Sequence, residues 1–272
     1  MQKIISLQNP IVKEITALHQ KKNRVESGMF LIEGFKGVEE ALKYGLEIKY
    51  IFMLPSVIAR RGFSPDVAIY SLNFPEDKIY FVEEKILKKI STTETPPEIM
   101  AVAFQKEFFI KDLFKEENPL IIVLENIKDA GNLGTIIRTA KAANVSGIIL
   151  TGECIDIYNP KVVRSSAANL WKIPVVNFKE TDLLRAEIEK FGHFQFLATK
   201  VGNNEKQSLY HEIDYKQPTV VLFGSEAEGI SDKLANQADK LVKIPMNEEV
   251  ESLNLSISAG IIMFEAFKRR KG

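Results

Sequence analysis

The chain predicts an α/β protein with a mostly parallel sheet, preceded by a smaller α/β part, on three observations. From Leu120 to the C-terminus, strand-like apolar runs alternate with helical patterns, as in a parallel sheet covered on both faces. The run LIIVLE is apolar without alternation, which suits a strand buried on both sides. A charged, proline-ended stretch, Gln105 to Pro119, separates this region from an N-terminal third with its own helices and strands.

In that first third, Ile11, Ile15 and Leu18 recur at helical spacing and predict a helix from Asn9 to Lys22. Met29 to Ile32 reads as a strand. Gly34 and Gly37 precede a helix near Val38 to Tyr44. Lys49 to Leu54 is a second strand, Glu83 to Ile90 a third helix, and Ile99 to Phe104 a closing strand. The expected division is a small domain over 1–106, a linker over 107–118 and a larger domain over 119–272.

In the larger part, strands are expected at Leu120 to Glu125, Gly147 to Thr151, Ile173 to Asn177, Phe194 to Thr199, Thr219 to Phe223 and Lys240 to Ile244. Helices are expected at Asn132 to Ala143, Pro160 to Leu170, Asp182 to Phe191 and Ser252 to about Arg270. Proline at the first turn of the second costs nothing, because its missing N–H has no helical partner there. In the last helix, Leu255, Ala259, Ile262, Met263 and Ala266 form a core-like stripe.

Composition narrows the class. The 272 residues are 45% hydrophobic and 26% charged, with zero formal net charge, so any nucleic-acid contact must come from local basic patches. Cys154 is the only cysteine, which fits a reducing compartment. Three scattered histidines and one cysteine give no zinc spacing, so no metal is expected. No apolar run approaches the roughly 20 residues of a membrane span, and the N-terminus lacks the pattern of a signal peptide. A cytoplasmic protein is expected.

Ligands of parallel sheets bind beyond the carboxyl ends of the strands, and three loops there carry glycine and polar residues. The first, ENIKDAGNLGTIIR, offers Gly131 and Gly134 for tight turns, Asn132 near a helix start and Arg138 inside the helix. A guanidinium suits a phosphate or a developing oxyanion. The second, GSEAEGIS, superficially resembles a nucleotide-binding turn, but it departs from G-x-G-x-x-G and places Glu226 and Glu228 where phosphate would sit. Those acids favour a cationic or hydroxyl-bearing ligand. The third, IPMNEEVESLNLS, leads into the last helix with Ser252 as an expected N-cap. Alone, each loop also reads as a capped helix or an exposed turn. Together, their order and their positions after strands coincide.

The three segments resemble the signature motifs of the SpoU/TrmH family of RNA ribose 2'-O-methyltransferases. The first motif, N-x-x-D-P-x-N-x-G-x-x-x-R, is matched by Asn126, Asp129, Ala130, Asn132, Gly134 and Arg138. The second, G-[NS]-E-x-x-G, is matched by Gly224 to Gly229, and the third, I-P-M-x-G-x-x-x-S-L-N-x-S, by Ile244 to Ser256. PKVVRSSAANLWKIPV is similar to an intermediate family stretch. SLQNPIVKEI, GMFLIEGFKGVEEAL and STTETPPEIMAVA resemble a ribosomal-protein-like RNA substrate-binding domain often fused to this enzyme.

The resemblance implies a deep trefoil knot, a homodimer and transfer of a methyl group from S-adenosylmethionine to an RNA ribose 2'-hydroxyl, with ribosomal RNA as the substrate. It implies cofactor contacts at Gly224, Ile244 and Leu253, and a catalytic set of Arg138, Asn132, Glu226, Ser252 and Asn254. Three departures stand out: Ala130 for proline, Ala168-Asn169 for glycine-alanine, and Glu248 for a glycine that often marks a special backbone angle.

Basic clusters are candidate RNA contacts. Lys21, Lys22 and Arg24 lead because they lie in the substrate-binding part. Arg60 with Arg61, and the terminal run Lys268 to Lys271, follow. Three alternatives stay open: a tRNA 2'-O-methyltransferase, an inactive RNA-binding ribosome-assembly protein, and a nucleotide-dependent oxidoreductase. The absent G-x-G-x-x-G fingerprint opposes the last.

Overall fold

The computed structural model describes residues 2–60, 74–199 and 207–271. The chain divides into two compact units, 1–106 with 156–171, and 107–155 with 172–272.

The first unit carries a five-stranded sheet. Its strands are β1 (Gln2–Ile4), β2 (Met29–Glu33), β3 (Ile48–Met53), β4 (Ile79–Val82) and β5 (Ile99–Phe104). Their order is β1-β4-β3-β5-β2, with β5 antiparallel to both neighbours. Among the described residues, the α-helices before β4 are α1 (Pro10–Ala17), α2 (Lys21–Ser27), α3 (Phe35–Lys43) and α4 (Pro55–Arg60). A further helix, α5 (Glu84–Ile90), follows β4. The helix expected from Asn9 to Lys22 is thus two. Carbonyls at the end of α1 take side-chain donors where the helical N–H ladder stops. Asn23 Nδ2 donates to Ala17 O at 2.8 Å, and Arg24 donates to Leu18 O at 2.7 Å and His19 O at 2.9 Å.

The segment 156–171, expected with the larger domain, groups with this first unit. Asp156 pairs with Arg24 at 2.6 Å, and Tyr158 lies 4.6 Å from Phe30, ring to ring. The helix expected from Pro160 to Leu170 is the shorter α7 (Pro160–Ser165). It ends because Ala167 and Ala168 turn left-handed, at φ 48° and 64°. Non-glycine residues pay for that conformation. Asn169 offsets part of the strain by donating to Ser166 O and Ala167 O.

The second unit carries a seven-stranded, wholly parallel sheet. Its strands are β6 (Leu120–Glu125), β7 (Gly147–Thr151), β8 (Val175–Asn177), β9 (Gln195–Thr199), β10 (Gln207–Leu209), β11 (Thr219–Phe223) and β12 (Lys240–Lys243), in the order β10-β12-β9-β11-β6-β7-β8. β8 starts at Val175, two residues late, because Pro174 has no N–H to give the ladder. β6, β7 and β11 are buried along their whole length. Side chains of Ile121, Val123 and Ile149 pack with Leu184 and Ile188 of α8 (Leu184–Glu189). Alternate β6 residues face the other way. Two further helices, α6 (Ala130–Ala142) and α10 (Leu255–Lys271), pack on each other. All five residues of the expected stripe on α10 are buried. A short α9 (Asp232–Ala235) follows β11.

Chain order reverses at β6: β7 and β8 extend to one side, while β11 occupies a slot between β6 and β9. Such a switch point opens a crevice at the carboxyl ends of the strands.

Candidate active site

Residues at the carboxyl ends of β6, β11 and β12 build the site. After β6, Asn126 adopts a left-handed φ of 55°. Its Oδ1 accepts from Glu153 N at 2.8 Å. Asp129 then caps α6, accepting from Asn132 N at 2.7 Å. This fixes Asn132 in the first turn of α6.

After β11, the chain closes on itself. Ser225 and Gly229 exchange backbone hydrogen bonds of 3.0 Å. A Cβ on Gly224 would lie 1.9 Å from the Gly229 carbonyl carbon, so only glycine fits. Glu226 and Glu228 are exposed on this turn.

The loop after β12 ends at α10, which starts at Leu255 rather than Ser252. Asn254, not Ser252, caps it: Asn254 Oδ1 accepts from Ser256 N at 2.9 Å and from Ile257 N at 3.4 Å. Ser252 is exposed and makes no side-chain hydrogen bond among the described residues.

The cap orients a relay. Because Asn254 spends its oxygen on α10, its Nδ2 faces Asn132 and donates to Asn132 Oδ1 at 3.0 Å. Asn132 therefore presents its own Nδ2 to Glu226 Oε1, donating at 2.6 Å. Each amide is thus oriented by its partners rather than free to flip. Three expected site residues from three separate loops meet in this one chain of bonds.

The remaining expected residues divide. Gly224 is buried within its turn, while Ile244 and Leu253 are half-buried at either end of the third loop. Arg138 is exposed, with no hydrogen bond or ion pair among the described residues. Six residues beyond Asn132, it stands about 9 Å farther along the α6 axis and outside the relay. Glu248, at the departure from family glycine, has no left-handed angle, so its side chain strains nothing.

Cys154 donates to Thr151 O at 3.2 Å and to Leu124 O at 3.7 Å. Burial raises its pKa, which holds it as a thiol and makes it a poor nucleophile.

The basic clusters need correction. Arg24 does not belong to a surface patch. Its side chain is 3% exposed and is committed to Asp156, Leu18 O and His19 O. Lys21 and Lys22 are exposed. Arg270 donates to Pro119 O and Gln217 O at the starts of β6 and β11, and Arg269 to His211 O, so both tie down the end of α10. Burial lowers the Arg270 pKa. Arg61 and the Arg60 side chain lie outside the described residues.

Sequence reasoning missed Glu125 and Ser231, which bond to each other. The acid ending an otherwise apolar strand was the available signal.

A model of the SpoU rRNA methylase family matches residues 119–264, more than half of the chain and the whole of the relay. The chain belongs to the SpoU rRNA methylase family. Ahead of the methylase region, a model of the MRM3-like substrate-binding domain matches residues 9–101. The methylase is 30% identical to the 23S rRNA (guanosine(2553)-2'-O)-methyltransferase RlmP of Bacillus subtilis, over 97% of this chain and 98% of that one. It is 34% identical to an uncharacterized tRNA/rRNA methyltransferase of Synechocystis, over 98% and 94%. Its structure resembles the AdoMet-bound rRNA methyltransferase of Sinorhizobium meliloti, with a TM-score of 0.85 and 35% identity over 98% and 97% of the two chains. This SpoU methylase has no helix among its described residues long and apolar enough to cross a membrane.

Proposed function

We propose that this protein transfers a methyl group from S-adenosylmethionine to a ribose 2'-hydroxyl of ribosomal RNA. The observation that carries this is the Glu226–Asn132–Asn254 relay, which joins the three motif loops at the carboxyl ends of a parallel sheet. Relatives named as 23S rRNA 2'-O-methyltransferases support the substrate.

The site fits the cofactor. Between Met246 and Leu253 one backbone bond, Val250 N to Asn247 O, is made among the described residues. Glu249 N donates to Asn247 Oδ1 at 3.0 Å, and most of the remaining amides and carbonyls there make no protein bond among the described residues and can meet a ligand with many polar edges. Half-buried Ile244 and Leu253 supply apolar surface for an adenine ring, and Gly224 brings backbone close. When bound, S-adenosylmethionine supplies an electrophilic methyl group on a sulfonium centre.

The protein's own residues do the rest. Arginine keeps its proton in proteins, so Arg138 stabilises the incipient alkoxide electrostatically rather than removing the proton outright. Asn132, Glu226 and Asn254 hold the reacting centre, and Ser252 offers an unspent hydroxyl beside them. Fixed placement of donor and acceptor supplies much of the remaining rate.

The division of labour is an RNA-binding domain over 1–106, with which 156–171 groups, a linker over 107–118 and a methyltransferase over the rest of 119–272, with Lys21 and Lys22 on the RNA path. A trefoil knot in the methyltransferase part belongs to the same reading. Ile257 and Phe264, 54% and 48% exposed and two turns apart on α10, suit a homodimer interface. The enzyme works in the cytoplasm and needs no metal.

The test is methylation of ribosomal RNA in vitro with labelled S-adenosylmethionine, followed by nucleoside analysis. A 2'-O-methylated nucleoside is expected. A base-methylated product, transfer to tRNA alone, or no transfer would overturn the reading.

A further inference from the structure

Glu125 ends a strand that is otherwise apolar, LIIVL, and is only 4% exposed. Burying a carboxylate is costly, and an apolar residue would serve the strand as well. Its two oxygens are both used on one residue: Oε2 accepts from Ser231 N at 2.8 Å, and Oε1 from Ser231 Oγ at 2.6 Å. Ser231 Oγ also caps α9, accepting from Leu234 N at 3.3 Å.

The placement matters. Leu124 pairs with Phe223, so Glu125 stands level with Gly224, where the second turn leaves β11. Ser231 is where that turn ends. The entrance is held by the strand ladder and the Gly224–Gly229 crossing. The exit is held by the Glu125 carboxylate. Asn126, next in the chain, begins the first turn.

We propose that Glu125 is a positioning residue for S-adenosylmethionine: by gripping Ser231 it fixes the Gly224–Ser231 turn in the shape that receives the cofactor and aims Glu226 at Asn132. Glu125 touches neither cofactor nor RNA. The proposal rests on the reading that this turn holds S-adenosylmethionine.

Calorimetry with S-adenosylmethionine tests it on the full chain, with RNA binding and thermal unfolding measured alongside. Glu125→Gln keeps the shape but removes the charge and one acceptor, and Ser231→Ala removes one donor. Each is expected to weaken cofactor binding roughly tenfold, the worth of one charge-assisted bond, while RNA affinity holds. The double variant is expected to lose no more than the worse single, because both break one interaction. Ser231→Thr, which keeps the hydroxyl, is expected to bind as wild type does. Unchanged cofactor affinity with a lowered unfolding temperature, or losses that simply add, overturns the proposal. If Glu125→Gln does not fold, Ser231→Ala alone decides by the same criterion. Wild type failing to bind S-adenosylmethionine would instead overturn the functional reading beneath it.

Discussion

Arg24 and Arg138 present the same guanidinium to opposite circumstances. Arg24 is enclosed at the junction of α1 and α2, its donors spent on Asp156 and two helix-end carbonyls. Arg138 stands on the outer face of α6, with no partner among the described residues. Sequence patterning marked both as functional. Burial and partnership separate them: a guanidinium whose bonds are spent holds structure, and one left open is available to a substrate.

Substitutions sharpen that contrast. Arg138→Ala is expected to lower methyl transfer by about a thousandfold, the upper range for removing a charge-stabilising donor, with cofactor affinity and unfolding temperature unchanged. Single-turnover kinetics and calorimetry check this. Equal activity would remove Arg138 from the chemistry. Arg24→Ala is expected to cost about 3 kcal/mol of stability, because it strands the Asp156 carboxylate, 12% exposed, without its partner. Urea unfolding measures this, and no loss of stability would return Arg24 to the candidate RNA contacts.

Smaller effects follow. Asn254→Ala is expected to cost about 1 kcal/mol through the lost cap and to lower kcat beyond that, since Asn132 loses its orienting donor. A drop in stability at wild-type kcat would make the relay a cap alone. Ala168→Gly is expected to raise stability by about 1 kcal/mol, because glycine adopts the left-handed angle there without the cost alanine bears. Joint Lys21→Ala and Lys22→Ala is expected to leave stability within about 0.5 kcal/mol. The salt slope of RNA binding should fall by about one per lysine. An unchanged slope would move the RNA path elsewhere.

The parallel core was legible because LIIVLE, GIILT and TVVLF are buried on both faces and show it without alternation. The strand Ile79–Val82 was not read, although its IYFV run is β-branched and aromatic, because charged residues flank it. Three other features depend on distant partners that local pattern does not carry. The break between α1 and α2 is set by Asn23 and Arg24 taking up carbonyls. The start of α10 is set by Asn254, whose amide also answers to Asn132. The grouping of 156–171 with the first unit follows from Arg24 and Phe30 meeting it in space. At the site, motif spacing located Asn132, Glu226 and Asn254, but only the coordinates show them bonded in series.

Mapping ribose methylation across the RNA of cells with and without this protein tests the central claim most directly. The account predicts one 2'-O-methylated position in large-subunit ribosomal RNA that disappears on deletion and returns with the wild-type chain but not with Arg138→Ala. Identical maps, or return of the mark with the arginine variant, would contradict it.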